Sequence, residues 1–306
     1  MFAHQEADAS DSPLMETRWS RRQWLTTTTG SVIAGAAGLV LYSNRIEPHW
    51  VEIVRRDLPI AGLPSAMEGK TLMQLSDLHI GPVVDDAYLI RSLQRAAKLE
   101  ADIVVHTGDL IQSPIKGWKQ ATNVLDHFPK GKMATLSILG NHDYGPSWSN
   151  TRVGESTAAA LRDTGITVLR YSSVNINGLT ITGLEEKLGP YWRKHLIEGL
   201  IRADRPHVVL CHNPDGCDDG IWCEHQGDDE FRGWVLSGHT HGGQVSVPFL
   251  GPPILPVVNK RYTSGEFALG GGRRLYINRA LGYLRRVRFN VRPEITLFTL
   301  RSEHPA

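Results

Sequence analysis

Five short clusters of carboxylate, imidazole and amide side chains each follow directly on an apolar run. They are Ser76-Asp77-Leu78-His79, Thr107-Gly108-Asp109, Gly140-Asn141-His142-Asp143, Cys211-His212-Asn213-Pro214 and Gly238-His239-Thr240-His241-Gly242-Gly243. Mixed carboxylate, imidazole and amide donors of this kind suit Mn²⁺, Fe or Zn²⁺ better than Ca²⁺ or Mg²⁺. Any one of these histidines alone fits a strand-end cap or a satisfied core residue. The set does not fit that plainer account. A chain of this composition should contain Gly-Asn-His about 0.04 times and Gly-His-x-His about 0.05 times by chance, whereas Asp-x-His is common enough to mean nothing alone.

For the clusters to meet, the apolar runs before them must be strands of one α/β core, because ligands collect at the carboxyl ends of strands in such sheets. The pattern predicts strands at 71–75, 102–106, 133–139, 207–210, 234–236, 275–277 and 295–300. Helices are predicted at 85–100, 118–128, 155–163 and 191–202, the third stopped by Gly165. Asn177-Gly178 marks the turn of a hairpin over 172–182. Neither a repeat nor a linker interrupts 46–306, which reads as one domain. Its length, 306 residues in all with 41% hydrophobic and 21% charged, is ample for a large core without disulfides. A formal charge of +1 gives no reason to expect a nucleic-acid partner.

The N-terminal part differs. Residues 1–19, with Glu6, Asp8, Asp11 and Glu16, read as a disordered leader. Ser20-Arg21-Arg22-Gln23-Trp24-Leu25 then precedes an uncharged stretch to Asn44. A paired arginine before a mildly apolar segment predicts a twin-arginine export signal over 20–44, with a retained N-terminal membrane anchor as the alternative. A buried helix is not expected, because Thr26, Thr27, Thr28 and Thr29 and the interspersed glycines are weak helix formers. Either way the rest of the chain lies on the far side of the membrane from Arg21 and Arg22. The expected partners are thus the export machinery and a membrane.

Taken in order, the blocks D-x-H, GD, GNH, a lone His and GHxH resemble those of the calcineurin-like metallophosphoesterase superfamily over about residues 70–300. The HNPD form of the fourth block, the GHTHGGQ form of the fifth and the export signal are similar to its bacterial envelope branch. That branch includes twin-arginine phosphoesterases and UDP-2,3-diacylglucosamine pyrophosphatase-like enzymes. The resemblance implies two mixed β-sheets packed together and flanked by helices, an αββα sandwich. It implies two divalent metal ions, one held by Asp77, His79, Asp109 and His241, the other by Asp109, Asn141, His212 and His239. It also implies that His142 faces the substrate and that Asp143 orients His142, while the plainer reading of Asp143 is a helix cap, compatible with that role.

The chemistry implied is in-line attack on phosphorus by a hydroxide shared between the ions, with His142 protonating the leaving oxygen. Asp109 is placed to bridge, since its two oxygens can hold cations about 3.5–4 Å apart. The substrate expected is a cell-envelope phosphodiester or pyrophosphate such as a nucleotide-sugar lipid. A broad phosphodiesterase or nucleotide phosphatase is the nearest alternative, and a non-catalytic metal-dependent binding protein the more distant one. Every expected ligand position is filled, which favours the enzyme.

Some features take no part in that chemistry. His106 reads as a core residue. Arg279, Arg285, Arg286, Arg288 and Arg292 form a basic run that reads as a solvated loop, with a hold on an anionic substrate or on an acidic surface such as lipid head groups as the alternative. The acidic segment 217–233 reads as a loop near the site. Cys217 and Cys223 can pair if the domain is exported, and Cys211 is expected to be buried and free.

Overall fold

The computed structural model describes residues 19–112, 118–201, 205–219 and 231–303. The chain divides into two compact units, one ending at Leu41 and the other starting at Tyr42.

In the first unit, Arg21–Leu41 form one α-helix, α1, with no buried residue. The Ser20 hydroxyl accepts from the Gln23 N–H and the Gln23 side chain accepts from the Ser20 N–H. This reciprocal cap satisfies two donors at the helix start. The threonines do not break the helix as their propensity suggests. Thr26 and Thr28 turn their hydroxyls back onto the carbonyls of Arg22 and Trp24, so these two hydroxyls are satisfied within the helix. At 1.5 Å per residue α1 is about 30 Å long, close to the thickness of a bilayer's hydrocarbon core. Among the described residues it lies in the one helical stretch long and apolar enough to cross a membrane, as a signal or an anchor would be.

The second unit holds two mixed six-stranded sheets. The first contains β1 (Glu52–Ala61), β2 (Thr71–Leu75), β3 (Ile103–Thr107), β4 (Ala134–Ile138), β5 (Thr167–Val168) and β12 (Glu294–Glu303), in the order β1-β12-β2-β3-β4-β5. The second contains β6 (Ser172–Ile176), β7 (Leu179–Gly183), β8 (His207–Leu210), β9 (Trp234–Ser237), β10 (Gly265–Gly270) and β11 (Arg273–Ile277), in the order β10-β11-β9-β8-β7-β6. Within the sheets β2, β3 and β4 are mutually parallel, as are β7, β8 and β9.

Strand alternation explains the layering. Leu72, Ile103, Val105, Leu136 and Ile138 point inward and meet Leu179, Ile181, Val208, Leu210, Trp234 and Leu236 of the other sheet. The residues between them, Met73 and Val104, point to the opposite face. There they meet α2 (Asp86–Ala97), α3 (Trp118–Leu125) and α4 (Thr151–Asp163) through Leu89, Leu93, Val124 and Leu161. The second sheet's outer face carries Val209, Val235 and Leu275 against Ile197, Cys217 and Tyr262. Both sheets are therefore buried on two faces, which is why their central strands read as continuous apolar runs.

The expected elements appear with shifted ends. Asn150 accepts from the N–H groups of Arg152 and Val153 and starts α4 one turn earlier than predicted. The helix expected over 191–202 shrinks to α5 (His195–Glu198), with Gly199 at its end and residues 202–204 outside the described set. Asn177 and Gly178 both take positive φ, 49° and 93°, as a two-residue hairpin turn between β6 and β7 requires. His106 is a core residue, bonded through Nδ1 to Ser137 Oγ at 2.9 Å and edge-on to Phe128.

Candidate metal centre

Each predicted cluster is the turn that leaves one of β2, β3, β4, β8 and β9, and the turns are bonded to one another. The Asp77 and His79 N–H groups donate to the Gly108 and Asp109 carbonyls, and the Gly238 N–H donates to the His212 carbonyl. The His142 N–H donates to Asp109 Oδ1 at 2.8 Å, and the His239 N–H reaches the Asp77 carboxylate at 3.1 Å. The last bond ties the turn after β9 in the second sheet to the turn after β2 in the first.

These turns hold their side chains through unusual backbone. Asp77, His79, Asp109, His239 and His241 all have φ between 49° and 68°. Left-handed backbone costs a non-glycine residue of order 1 kcal/mol and persists only where the surroundings enforce it. Here it aims five side chains at one point. Glycine serves the same end at Gly140 and Gly238, where a Cβ would overlap the carboxylates of Asp109 and Asp77 respectively.

Asp77, His79, Asp109, Asn141, His212, His239 and His241 are all at most 5% exposed. His79 Nε2 lies 3.0 Å from His241 Nε2, which is 3.3 Å from Asp77 Oδ1. His79 Nε2 is also 3.7 Å from Asp109 Oδ2. On the other side of Asp109, His212 Nε2 is 3.3 Å from Oδ2, 3.2 Å from Asn141 Oδ1 and 3.3 Å from His239 Nδ1. Around an ion with ligands at about 2.0–2.2 Å, neighbouring donor atoms stand roughly 3–3.5 Å apart. The donors thus lie in two groups on either side of Asp109, both of them near its Oδ2.

The hydrogen bonds of the rings also fit cations. His212 Nδ1 lies 2.7 Å from the Thr107 carbonyl, and His239 Nε2 lies 2.9 Å from the Pro256 carbonyl. A carbonyl only accepts, so these nitrogens carry the protons and the lone pairs of His212 Nε2 and His239 Nδ1 face each other. Two facing lone pairs beside a carboxylate call for positive charge between them. The same demand shows in the acid–base balance. Burial opposes a charge on His212, but Asp109 outweighs it and raises the imidazole pKa well above its ordinary value. Burial pulls His79 well below and His239 to about 4, leaving both neutral, the form a ligand needs. Burial alone would raise the Asp109 carboxyl, but His212 and His142 hold it well below the usual range. The residues present therefore fit divalent cations.

His142 is half-buried at the rim, its ring centre 4.9 Å from that of His79 and 6.1 Å from that of Trp148. Asp143 does not orient it, contrary to expectation. Its carboxylate accepts from the Gly140 and Ile111 N–H groups and braces the loop that carries Asn141 and His142. The reason is the tight turn over His142–Tyr144, which folds Asp143 back under the loop.

The model of the calcineurin-like phosphoesterase family matches residues 70–243, more than half of the chain and every block described above. The chain belongs to that family. The uncharacterized metallophosphoesterase YkuE of Bacillus subtilis is 32% identical over 93% of this chain and 99% of its own. The phosphodiesterase YaeI of Escherichia coli is 31% identical over 92% of this chain and 99% of its own. The UDP-2,3-diacylglucosamine pyrophosphatase LpxG of Chlamydia muridarum is 24% identical over 89% of this chain and 96% of its own. This phosphoesterase is accordingly a hydrolase of a family that binds divalent metals.

Three residues near the centre carry no role in the sequence reading. Glu186, wholly buried just beyond β7, leaves Oε2 without a partner, and burial pushes its carboxyl up to about 7. Gln244, two residues after the Gly-His-x-His-Gly block, donates to the Arg285 and Val287 carbonyls and accepts from the Leu284 N–H. Asp215, in the HNPD block, accepts from the Val258 and Asn259 N–H groups. The motif extensions GHTHGGQ and HNPD were the signal for the last two; Glu186 has none.

The basic run is not a solvated loop throughout. Arg279 pairs with Glu294 and Glu52, Arg292 lies over the Trp50 ring, and Arg288 is wholly buried. Arg288 donates to the carbonyls of Arg279, Ala280, Gly282 and Val291. Only Arg285 and Arg286 are exposed. Cys211 is buried and free as expected, and Cys217 is buried. Cys223 and the acidic residues Asp228, Asp229 and Glu230 lie outside the described residues.

Proposed function

We propose that the protein hydrolyses a phosphodiester or pyrophosphate bond in a lipid-linked compound of the cell envelope, after twin-arginine export. In this reading Asp77, His79, Asp109 and His241 hold one divalent cation. Asp109, Asn141, His212 and His239 hold a second, with Mn²⁺, Fe or Zn²⁺ the expected metals. When bound, such cations supply charge neutralisation at phosphorus and a water of lowered pKa. The donors themselves contribute two carboxylate charges, so it is the pair of divalent cations, when bound, that would leave the site net positive and draw an anionic phosphate group to it. A water oxygen forms the new bond to phosphorus while the bond to the leaving oxygen breaks in line. His142 stands at the rim, binds no cation, and delivers a proton to that leaving oxygen.

The observation that carries the reading is the convergence of seven buried donor side chains from both sheets, with lone pairs facing at ligand spacing. A cavity of about 430 Å³ opens beside His239 and His241, walled by Val245, Pro253, Ile254, Leu284 and Val287 with Arg285 at its side. Apolar walls next to a cationic side chain suit a substrate with an apolar part and a phosphate. The name of the LpxG relative, which specifies a diacylated nucleotide sugar, supports the same class.

The test is product analysis with the Mn²⁺-loaded protein in ¹⁸O-labelled water, offered nucleotide-sugar lipids, a chromogenic phosphodiester and nucleotides. Label on a phosphate product from the lipid substrate is expected. Turnover of nucleotides alone would make it a general phosphatase. Inertness toward every class would leave a metal-dependent binding protein.

A further inference from the structure

The segment from Val245 to Ser264 contains no Asp or Glu but eight aliphatic or aromatic residues other than Tyr262, and the four prolines Pro248, Pro252, Pro253 and Pro256. The prolines keep it out of both sheets. Its apolar side chains are largely outside the core. Phe249 is 107% exposed, Val258 87%, Leu250 84% and Ile254 77%. A soluble surface rarely gathers apolar side chains in this way.

The loop is also held in place. The Val247 N–H donates to the Gly251 carbonyl and the Ser246 N–H to the Phe289 carbonyl. Pro256 is tied to His239, Val258 and Asn259 to Asp215, and the Lys260 ammonium to the Leu255 carbonyl. An exposed apolar tip held by this many bonds is a platform, not a chain seeking burial.

Charge says what the platform faces. Lys260 and Arg261 at its end are exposed, and so are Arg285 and Arg286; Arg285 shares the walls of the cavity with Ile254. Among the described residues, the carboxylates bonded to the loop are engaged: Asp215 with two backbone N–H groups, Asp218 with Asn259 and Tyr262. Apolar side chains rimmed by cations match the boundary between headgroups and acyl chains in an anionic bilayer.

We propose that residues 247–258, with Arg285 and Arg286, dock on an anionic lipid surface, Phe249, Leu250, Ile254 and Val258 entering the headgroup boundary. Docking brings the mouth of the cavity beside His239 and His241 against the lipid. It depends on the functional reading above only for its purpose, and it is measured without turnover.

The experiment uses the full chain with Phe249→Cys carrying an environment-sensitive fluorophore, reconstituted into phosphatidylcholine vesicles with and without phosphatidylglycerol. The parent protein, treated identically, sets the background, and a label at the exposed Lys98→Cys is the control. At position 249 emission is expected to rise several-fold and shift blue on the anionic vesicles. Lipid-borne quenchers should reduce it, and Arg285→Glu with Arg286→Glu should abolish the gain. A label at 249 that behaves as the one at 98 would overturn docking. So would brightening that follows protein concentration without lipid, because a second copy would then cover the loop. Hydrolysis of a soluble chromogenic phosphodiester, read in parallel, tests the site separately. An inert site with a bright label at 249 would count against the enzymatic reading and leave docking intact.

Discussion

Replacing His142 by alanine separates proton delivery from metal holding. Two features of the structure make the substitution clean. The contact His142 makes with Asp109 is through its backbone N–H, at 2.8 Å, and alanine keeps it. Its ring has no hydrogen bond to any described residue, and Asp143, the neighbour that seemed to steady it, is committed to Gly140 and Ile111. The variant is therefore expected to fold and to bind metal as the parent does. A positioned general acid contributes about 10²–10⁴ in rate, or about 3–5 kcal/mol of barrier. That loss should appear in full with an alkyl or sugar leaving group, whose oxygen needs a proton. It should shrink with p-nitrophenolate, which leaves without one. The assay is turnover at saturating Mn²⁺ on both kinds of substrate, with metal content measured on the same sample. Equal losses on the two substrates, or loss of metal from the variant, would refute the role given to His142.

Three further outcomes are expected. Adding Mn²⁺ to chelator-treated protein should raise the unfolding temperature, by the equivalent of about 3 kcal/mol at a hundredfold excess over Kd, and unchanged unfolding would show that the donors hold no ion. Glu186→Gln should stabilise the chelator-treated protein at pH 8 and not at pH 4. Burial lifts the carboxyl from its ordinary 4.5 to about 7, so the folded chain keeps a proton that the unfolded chain has already released. Stability from that proton is whole below about pH 4.5 and is lost as the pH rises through 7, a cost of about 3 kcal/mol that glutamine avoids; equal stabilisation at both pH values in urea melts would contradict it. Arg288→Met leaves four buried carbonyls without their donor and should lower stability by about 3 kcal/mol in denaturant titration, whereas an unchanged midpoint would mean that the loop finds other donors.

The centre was legible in the sequence because metal ligation demands particular side chains, and those cannot be disguised by neutral substitution. The strands before the clusters were legible for a related reason: β2, β3, β8 and β9 are covered on both faces, so each carries three apolar residues among its four or five. β1 was not foreseen. It is an edge strand carrying Arg55, Arg56, Asp57 and Pro59, held by its parallel pairing with β12 rather than by any pattern of its own. β10, an edge strand of the second sheet, likewise alternates between half-buried and exposed residues and was missed. Adjacency misled over Asp143, since neighbours in sequence need not touch once the chain turns. Arg288 read as a surface cation because its partners are backbone carbonyls, which leave no trace in side-chain order.

The bond from the His239 N–H to the Asp77 carboxylate joins turns that belong to different halves of the sandwich. A cation held by donors from both halves would act as a clasp across the seam between them. Loosening that seam anywhere along Leu72, Val105, Val208 or Leu236 should then be felt as weaker grip on the ion, long before the protein melts. Metal retention is in this sense a gauge of how well the two layers of the molecule close on each other, read out far from where they meet.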